Sequence, residues 1–447
     1  MSDQARALAE LSVPRYTSYP TAPHFSPAVG GNDYACWLSS LSRSSTLSFY
    51  VHVPFCARLC HYCGCHTKAV RQRAPIETYA EKLTGEIALV ARQLGGGKVV
   101  HLHWGGGTPS ILGERRLAEL FGRVCERFEV AASFEHAIEL DPRYVTDELA
   151  RVLAGIGVSR ASLGAQDFNP AVQQAIGRVQ PFETVREAVL RLREAGIERI
   201  NLDLMYGLPG QTVGDVRRSA ALAVSLAPQR LAYFGYAHVP WLKTHQRLID
   251  ASRLPGAAER LRQAEAAREV LVGLGYEHIG LDHFAQADDE LAAAARSGRL
   301  HRNFQGYTTD AAEALIGFGA SAIGRLAGGF VQNAPDVAGY ARAISAGRLA
   351  TVRGLVLSED DRVRGAVIER LMCDFAVDLA HFSAAGRISG AFAAELAALA
   401  PLEAEGLVRL EGRRVAVTEQ GRPFVRLVAA AFDAHLAQGR ARHSIAV

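Results

Sequence analysis

The sequence predicts an α/β protein of six successive strand–helix units, with an N-terminal arm before them. A smaller, mostly helical C-terminal domain with a winged-helix-like hairpin follows. Three observations predict it. From residue 47 to residue 274, short apolar runs alternate with segments of helical spacing. Glycine and proline punctuate the changes, as at Gly95–Gly97. After about residue 350 the alternation stops, and helical segments lead into two strand-like runs around Gly412.

Residues 1–40 read as an irregular arm. Pro14, Pro20, Pro23 and Pro27 break any helix, and Arg15, Tyr16, Tyr19 and Thr21 cluster between them. Leu47–Val53 is the first strand and Ile76–Leu94 the first helix. Strand Val99–Trp104 and helix Glu114–Phe128 follow, then strand Glu135–Leu140 and helix Thr146–Gly155. Next come Arg160–Ala165 with Phe182–Ala195, and Ile200–Met205 with Val213–Leu226. Leu231–Tyr236 and Ala257–Leu274 complete the six, with a further strand near His278–Leu281. Such a run implies parallel strands with helices outside, as a doubly wound sheet or a barrel, complete or partial. Either way the chemistry belongs at the C-terminal strand ends. Beyond the six units, Ser358–Met372 and Ala385–Ala400 read as helices. Leu407–Leu410 and Val415–Thr418 form the hairpin, and another helix follows Arg422. The expected domains are an arm of 1–40, a catalytic domain of 41–345 and a C-terminal domain of 346–447, with a linker near Ala343–Arg353.

Bulk properties set limits. The chain has 447 residues, 49% hydrophobic and 21% charged, the balance of a globular enzyme. A net charge of +3 implies no general nucleic-acid or membrane partner. The first twenty residues lack the basic-then-apolar pattern of a secretory signal, and no long apolar run suggests a membrane span. Seven cysteines, an odd number with four between Cys56 and Cys65, fit a metal site in a reducing cytoplasm better than disulfides.

The chemistry concentrates in YVHVPFCARLCHYCGC, from Tyr50 to Cys65. The spacing Cys56-x3-Cys60-x2-Cys63 puts three thiolates on one loop after the first strand. A cubane cluster needs one ligand per iron, so three cysteines leave one iron open for another molecule. Zinc held by Cys60, Cys63, Cys65 and His61 or His66 is the plainer alternative. The glycine run of HWGGGTPS, placed one strand later, disfavours it. Cys65 lies too near Cys63 to take a separate corner comfortably. Cys36, Cys125 and Cys373 read as ordinary buried thiols. Gly105–Gly107 let backbone approach a ligand closely. Glu139, Gln166, Arg178 and Asp203 are polar groups in or beside apolar runs and therefore need partners. Glu139 or Asp203 suits ribose hydroxyls, and Arg178 suits a carboxylate.

With these residues assembled, the chain resembles the radical S-adenosylmethionine enzymes. Within them it resembles the oxygen-independent coproporphyrinogen III oxidases, or coproporphyrinogen dehydrogenases. PRYTSYPTA, LHWGGGTP, IELDPR, SLGAQDFN, NLDLMYGLPGQT, YAHVP, GLDHFA and HRNFQGYTT carry the resemblance over almost the whole length. It implies a partial (β/α)6 barrel and a 4Fe–4S cluster on Cys56, Cys60 and Cys63. Two S-adenosylmethionine molecules are implied. The first meets Tyr50, Gly106, Glu139 and Ile323. The second meets Tyr62, Gly107, Thr108, Gln166, Arg178, Asp203 and Ala237. Tyr50 and Cys65 are the catalytic candidates, with Cys65 lining the pocket. The implied reaction uses a 5′-deoxyadenosyl radical to convert two propionates of coproporphyrinogen III into vinyls, giving protoporphyrinogen IX in haem biosynthesis. Arg15 and Arg302 are candidates for the substrate carboxylates, against the plainer reading of two surface arginines. A reduced flavodoxin- or ferredoxin-like donor and a cytoplasmic monomer are expected.

Two relatives compete, a haem chaperone and a haem-opening radical methyltransferase. Residues 14–22, Cys65 and HRNFQGYTT favour the oxidase. A zinc-stabilised winged-helix protein that binds nucleic acid is the rival from another class, resting on Arg409, Arg413 and Arg414 in the hairpin. The near-neutral charge opposes it.

Overall fold

The computed structural model describes residues 3–383 and 392–436. Residues 25–203 with 310–356 form one compact unit, and the other described residues form a second. All six strand–helix units are present. The strands are β1 (Thr46–Val53), β2 (Lys98–Gly106), β3 (Glu129–Leu140), β4 (Arg160–Gln166), β5 (Arg199–Tyr206) and β6 (Arg230–Gly235). The helices are α1 (Arg73–Gln93), α2 (Glu114–Arg127), α3 (Asp147–Gly155), α4 (Phe182–Glu194), α5 (Val213–Ser225) and α6 (Ala257–Gly273).

In the first unit, β1, β2, β3 and β4 run parallel in that order, with Ala314–Phe318 parallel to β1 on its other side. Three further strands, Ile323–Leu326, Gly329–Asn333 and Thr351–Val356, extend that edge antiparallel. Side chains alternate across a strand, so register sorts the sheet into two faces. On one face Phe49 lies beside Leu102, Trp104 beside Ile138, and Ile138 beside Ala161. These are fully or almost fully buried. On the other face Tyr50 lies beside His103, His101 beside Glu135, and Glu139 beside Ser162. A parallel sheet with one apolar and one polar face is a barrel wall, with helices outside and a polar interior. Helix α1 buries Ile76, Tyr79, Ala80, Leu83, Ile87 and Val90, the stripe that 3.6-residue spacing dictates. Each such aliphatic side chain contributes about 1.5–3 kcal/mol when buried.

In the second unit, β6 pairs antiparallel with His283–Gln286, which pairs antiparallel with Tyr276–Ile279. The hairpin is present as Val408–Glu411 against Arg414–Val417, turning at Gly412 with φ +63°, and Ala376–Asp378 adds a third strand. Val13, Tyr16 and Tyr19 pack into the same core as Val367, Leu371, Val415, Val428 and Phe432. Tyr16 Oη donates to Asp433 Oδ2 at 3.0 Å, and Ala434 N donates to Tyr19 Oη at 3.1 Å.

Three expectations need correction. Residues 1–40 are not wholly irregular, because Asp3–Glu10 and Gly31–Ser39 are helices flanking the proline-rich stretch. The prolines disrupt only what lies between them, and the Asp33 side chain accepts from Gly30 N at 2.8 Å at the start of the second helix. Residues 343–353 are not a free linker. They include the end of helix Val337–Ser345 and the start of the edge strand Thr351–Val356. Cys36 and Cys125 are exposed, and of the three cysteines outside the motif only Cys373 is buried. Helix α2 buries Leu117, Leu120 and Val124, which turns Cys125 outward, and Tyr34 and Leu38 turn Cys36 outward in the same way. Part of the helix expected at Ala385–Ala400 falls at 385–391, outside the described residues, and Ala393–Ala398 is helical.

Candidate cofactor site at the strand ends

The cysteine loop leaves the end of β1 and returns to meet itself. Lys68 N donates to Pro54 O at 3.1 Å, and Val70 N donates to Cys56 O at 2.9 Å. His61 N donates to Ile176 O at 2.9 Å, which docks the loop on the segment preceding Arg178. Cys56 Sγ lies 3.3 Å from Thr67 Oγ1 and accepts from Thr108 Oγ1 at 3.5 Å. Arg178 Nη1 donates to Cys60 Sγ at 3.5 Å. Burial pushes the Cys56 thiol up, and the two threonine hydroxyls offset part of that. Hydroxyl and guanidinium donors aimed at sulfur are what thiolate ligands need, so this donor set fits an iron–sulfur cluster. Cys65 is exposed, and Cys63 is its largest electrostatic neighbour.

The glycine run bends over the loop. Gly107 N donates to Val53 O and Thr108 N to Phe55 O, each at 2.8 Å. Gly106 has φ +104°, and a Cβ there would stand 2.5 Å from the His52 ring. A Cβ at Gly107 would stand 2.4 Å from Phe55 O. Only glycine fits either place, so backbone itself forms the surface. Glu139, at the end of β3, sits behind it. His103 Nε2 lies 3.1 Å from Glu139 Oε1, and Gly106 N donates to Oε2 at 3.1 Å. Burial would raise this carboxyl, but His103 and the Gly106 amide outweigh it and hold it below its ordinary value. Tyr50 Oη shares a 3.0 Å hydrogen bond with His52 Nδ1, and His52 Nε2 lies 2.9 Å from His66 O.

Arg178 is buried and multiply held. It donates to Gly164 O at 2.8 Å and to Asp141 Oδ2 at 3.3 Å, while its Nε meets no partner among the described residues. Gln166, at the end of β4, has φ +66°, a strained conformation of the kind that collects at functional sites. Asp203 accepts from Ser162 Oγ and from Asn201 Nδ2, each at 2.8 Å. Tyr62 is half-buried in the cysteine loop, and burial pushes its phenol well up. Ile323 heads the strand Ile323–Leu326. Below that strand, buried Glu86 accepts from Gly319 N and Asn333 Nδ2 at 2.6 Å and from Tyr340 Oη at 2.7 Å. Tyr79 Oη accepts from Ala320 N at 2.9 Å and donates to His52 O at 2.7 Å, which ties the Ile323 loop to the end of β1.

The four loop cysteines, Tyr50, Tyr62, Gly106, Gly107, Thr108, Glu139, Gln166, Arg178, Asp203 and Ile323 all belong to the first unit. Ala237, Arg15 and Arg302 belong to the second unit. There Arg15, an exposed residue, and Arg302, a half-buried one, line a cavity of about 630 Å³. Sequence reasoning passed over His52, Thr67, His103 and Asp141, which hold Tyr50, Cys56, Glu139 and Arg178. The histidines had a signal, since each lies two residues from a selected or polar position on its strand and so shares its face. Thr67 and Asp141 had none, because their roles come from contacts across separate segments.

Residues 50–223 match the Radical SAM superfamily, and residues 357–424 match the HemN C-terminal domain. The chain is 49% identical to the oxygen-independent coproporphyrinogen III oxidase of Bradyrhizobium diazoefficiens, over 100% of both chains. It is 39% identical to the Escherichia coli K12 enzyme of that name, over 96% of this chain and 94% of the other. The solved structure of coproporphyrinogen III oxidase (HemN) from Escherichia coli superposes with a TM-score of 0.90 at 38% identity, covering 94% of this chain and 97% of that one.

Proposed function

The chain belongs to the oxygen-independent coproporphyrinogen III oxidases of the radical SAM superfamily, and we propose that it converts two propionates of coproporphyrinogen III into vinyls. The observation that carries this is full-length identity to the oxidases together with the cysteine loop, the glycine cradle and Glu139 at three adjacent strand ends. Per propionate, the β-carbon loses one hydrogen atom, the carboxylate leaves as CO2, and one electron passes to an acceptor. When bound, the 4Fe–4S cluster and S-adenosylmethionine supply one-electron cleavage of the sulfonium and hence a carbon-centred abstractor of hydrogen.

The protein binds and orients. Cys56, Cys60 and Cys63 are the proposed cluster ligands. Thr67 and Thr108 lie against Cys56 Sγ and Arg178 donates to Cys60 Sγ, contacts suited to sulfur ligands of a cluster. Tyr50, Gly106, Glu139 and Ile323 are proposed for one S-adenosylmethionine. Tyr62, Gly107, Thr108, Gln166, Arg178, Asp203 and Ala237 are proposed for a second. Glu139, kept ionised by His103 and Gly106, accepts hydroxyl or ammonium hydrogens. Tyr50 is nearly closed to water and is fixed by His52, as protection of a radical requires. Cys65, exposed beside Cys63, is proposed to face the reaction space, and Arg15 and Arg302 to meet substrate carboxylates. We further propose an arm of 1–40, a catalytic domain of 41–345 and a C-terminal domain of 346–447, working as a cytoplasmic monomer reduced by a flavodoxin- or ferredoxin-like protein. Among the described residues, no helix is long and apolar enough to cross a membrane.

The test is anaerobic. Reconstituted protein, S-adenosylmethionine, a low-potential reductant and coproporphyrinogen III should yield 5′-deoxyadenosine and a porphyrinogen lighter by two CO2 and four hydrogens. 5′-Deoxyadenosine with untouched porphyrinogen would refute the assignment of substrate.

A further inference from the structure

The cavity in the second unit has an unusual charge balance. Six arginines line it against Glu265, Asp282, Glu405 and Glu419. Two of the cations are matched near solvent, Arg268 by Glu265 at 2.5 Å and Arg422 by Glu419 at 3.4 Å. Arg15, Arg260, Arg302 and Arg426 lie on the same lining, as do Asp282 and Glu405. Asp282 is engaged by His283 Nδ1 at 2.8 Å. Burial would raise the Asp282 carboxyl, yet His283, Arg302 and Arg15 bring it down to about 2. Burial and then Arg15 lower Arg426 to about 9, so it is still a cation at neutral pH.

Arg260 and Arg426 are buried, Arg302 is half-buried and Arg15 is exposed, and each has contacts with the protein. Arg260 fits a slot left by two glycines: a Cβ at Gly207 would stand 2.2 Å from its Nη1, and one at Gly235 would stand 2.9 Å from its Nη2. Its far side meets the Tyr206 ring at 5.6 Å. Arg15 Nη2 donates to Gly235 O at 2.8 Å, and Arg302 Nη2 donates to Arg15 O at 3.4 Å. Arg302 lies over Tyr307 at 4.4 Å, and its buried Nε and Nη1 meet no hydrogen-bond partner among the described residues. Arg426 donates to the carbonyls of Pro14, at 2.9 Å, and Val13. Tyr206, Tyr233, Phe284 and Phe424 supply apolar wall. The volume is that of a site for a molecule of porphyrin size, with convergent cations to fix it.

We propose that Arg15, Arg260, Arg302 and Arg426 form the seat for the carboxylates that the reaction leaves in place, the two propionates that coproporphyrinogen III keeps. This rests on the function proposed above. A propionate that reacts must shed its charge as CO2, and a guanidinium clamp stabilises the charged ground state over that transition state. A cluster of arginines therefore suits spectator carboxylates. It makes Arg260 and Arg426 binding residues alongside Arg15 and Arg302.

The test is fluorescence titration of the full-length holoenzyme at fixed salt with three porphyrins. Coproporphyrin III has all four propionates, mesoporphyrin IX has only the two spared ones, and mesoporphyrin IX dimethyl ester has none free. Mesoporphyrin IX should bind within about 5-fold of coproporphyrin III, and its ester at least ~10-fold more weakly, the worth of one charge-assisted contact. Arg260→Lys and Arg302→Gln should each weaken both free acids by about 10-fold. The inference is overturned if the ester binds as well as mesoporphyrin IX, or if the variants weaken coproporphyrin III alone. The wild-type comparison decides the matter even where a variant misfolds. If turnover of coproporphyrinogen III fails while mesoporphyrin IX binds as stated, the proposed function falls and the carboxylate seat stands. If turnover succeeds and the ester binds equally, only the seat falls.

Discussion

Replacing Glu86 with glutamine should flatten a pH dependence of stability that the wild-type protein carries. Glu86 lies on α1, fully buried, and burial pushes its carboxyl from an ordinary 4.5 to about 7, despite donors from Tyr340, Gly319 and Asn333. Folding therefore holds a proton that the unfolded chain releases near pH 4.5. The stabilised form is the protonated one, present in full below about pH 4.5 and lost as pH rises through about 7. Each pH unit of that gap is worth about 1.4 kcal/mol, so the full loss is about 3 kcal/mol. Between pH 5.5 and pH 8 it is about 2 kcal/mol. With an unfolding entropy of ~2.1 cal/mol/K per residue, that is roughly 2 °C in melting temperature if the 447 residues unfold together. Glutamine keeps the shape and does not titrate. It also turns an amide N–H toward Asn333 Nδ2, which costs about 1–3 kcal/mol at every pH. Anaerobic melting of wild type and Glu86→Gln at pH 5.5, 6.5 and 8 should show the gap narrowing as pH rises. A gap that is constant, or that widens with pH, would refute the assignment of a protonated buried carboxyl.

Other perturbations address the site directly. Gly106→Ala should cost about 1–3 kcal/mol in stability, since alanine must hold φ +104° against the His52 ring. Iron content should be kept and S-adenosylmethionine cleavage lost, read by absorbance and 5′-deoxyadenosine yield. Arg178→Ala strips a cation from buried Asp141 and Cys60, so stability should drop by about 3–5 kcal/mol. Arg178→Lys should recover little of it, because one ammonium cannot reach Gly164 O, Asp141 and Cys60 together. Cys63→Ala should lose the cluster iron, while Cys65→Ala should retain four irons per chain by colorimetric assay and lose vinyl formation. Equal iron loss in both variants would make Cys65 a ligand.

The six strand–helix units were legible in the sequence because each depends on local period and punctuation, and their predicted ends differ from the observed ones mostly by one to three residues. Strand β3 is the exception. It begins at Glu129, six residues earlier than expected, since Ala131, Ala132 and Ser133 carry no strand signal and only pairing with β2 extends it. The cysteine spacing, the glycine run and the polar strand ends were legible for a related reason. Each is a pattern within a dozen residues, and a parallel sheet brings successive strand ends together. Nothing local in the sequence joins Asp141 to Arg178 or Thr67 to Cys56, and nothing in it seats Arg260 between Gly207 and Gly235. Those contacts depend on where separate segments meet, and packing alone fixes that. The sequence by itself determined which chemical groups the protein brings to its strand ends. The tertiary structure decided which neighbours hold those groups charged, buried and oriented, because side-chain electrostatics depends on distance through space and not along the chain.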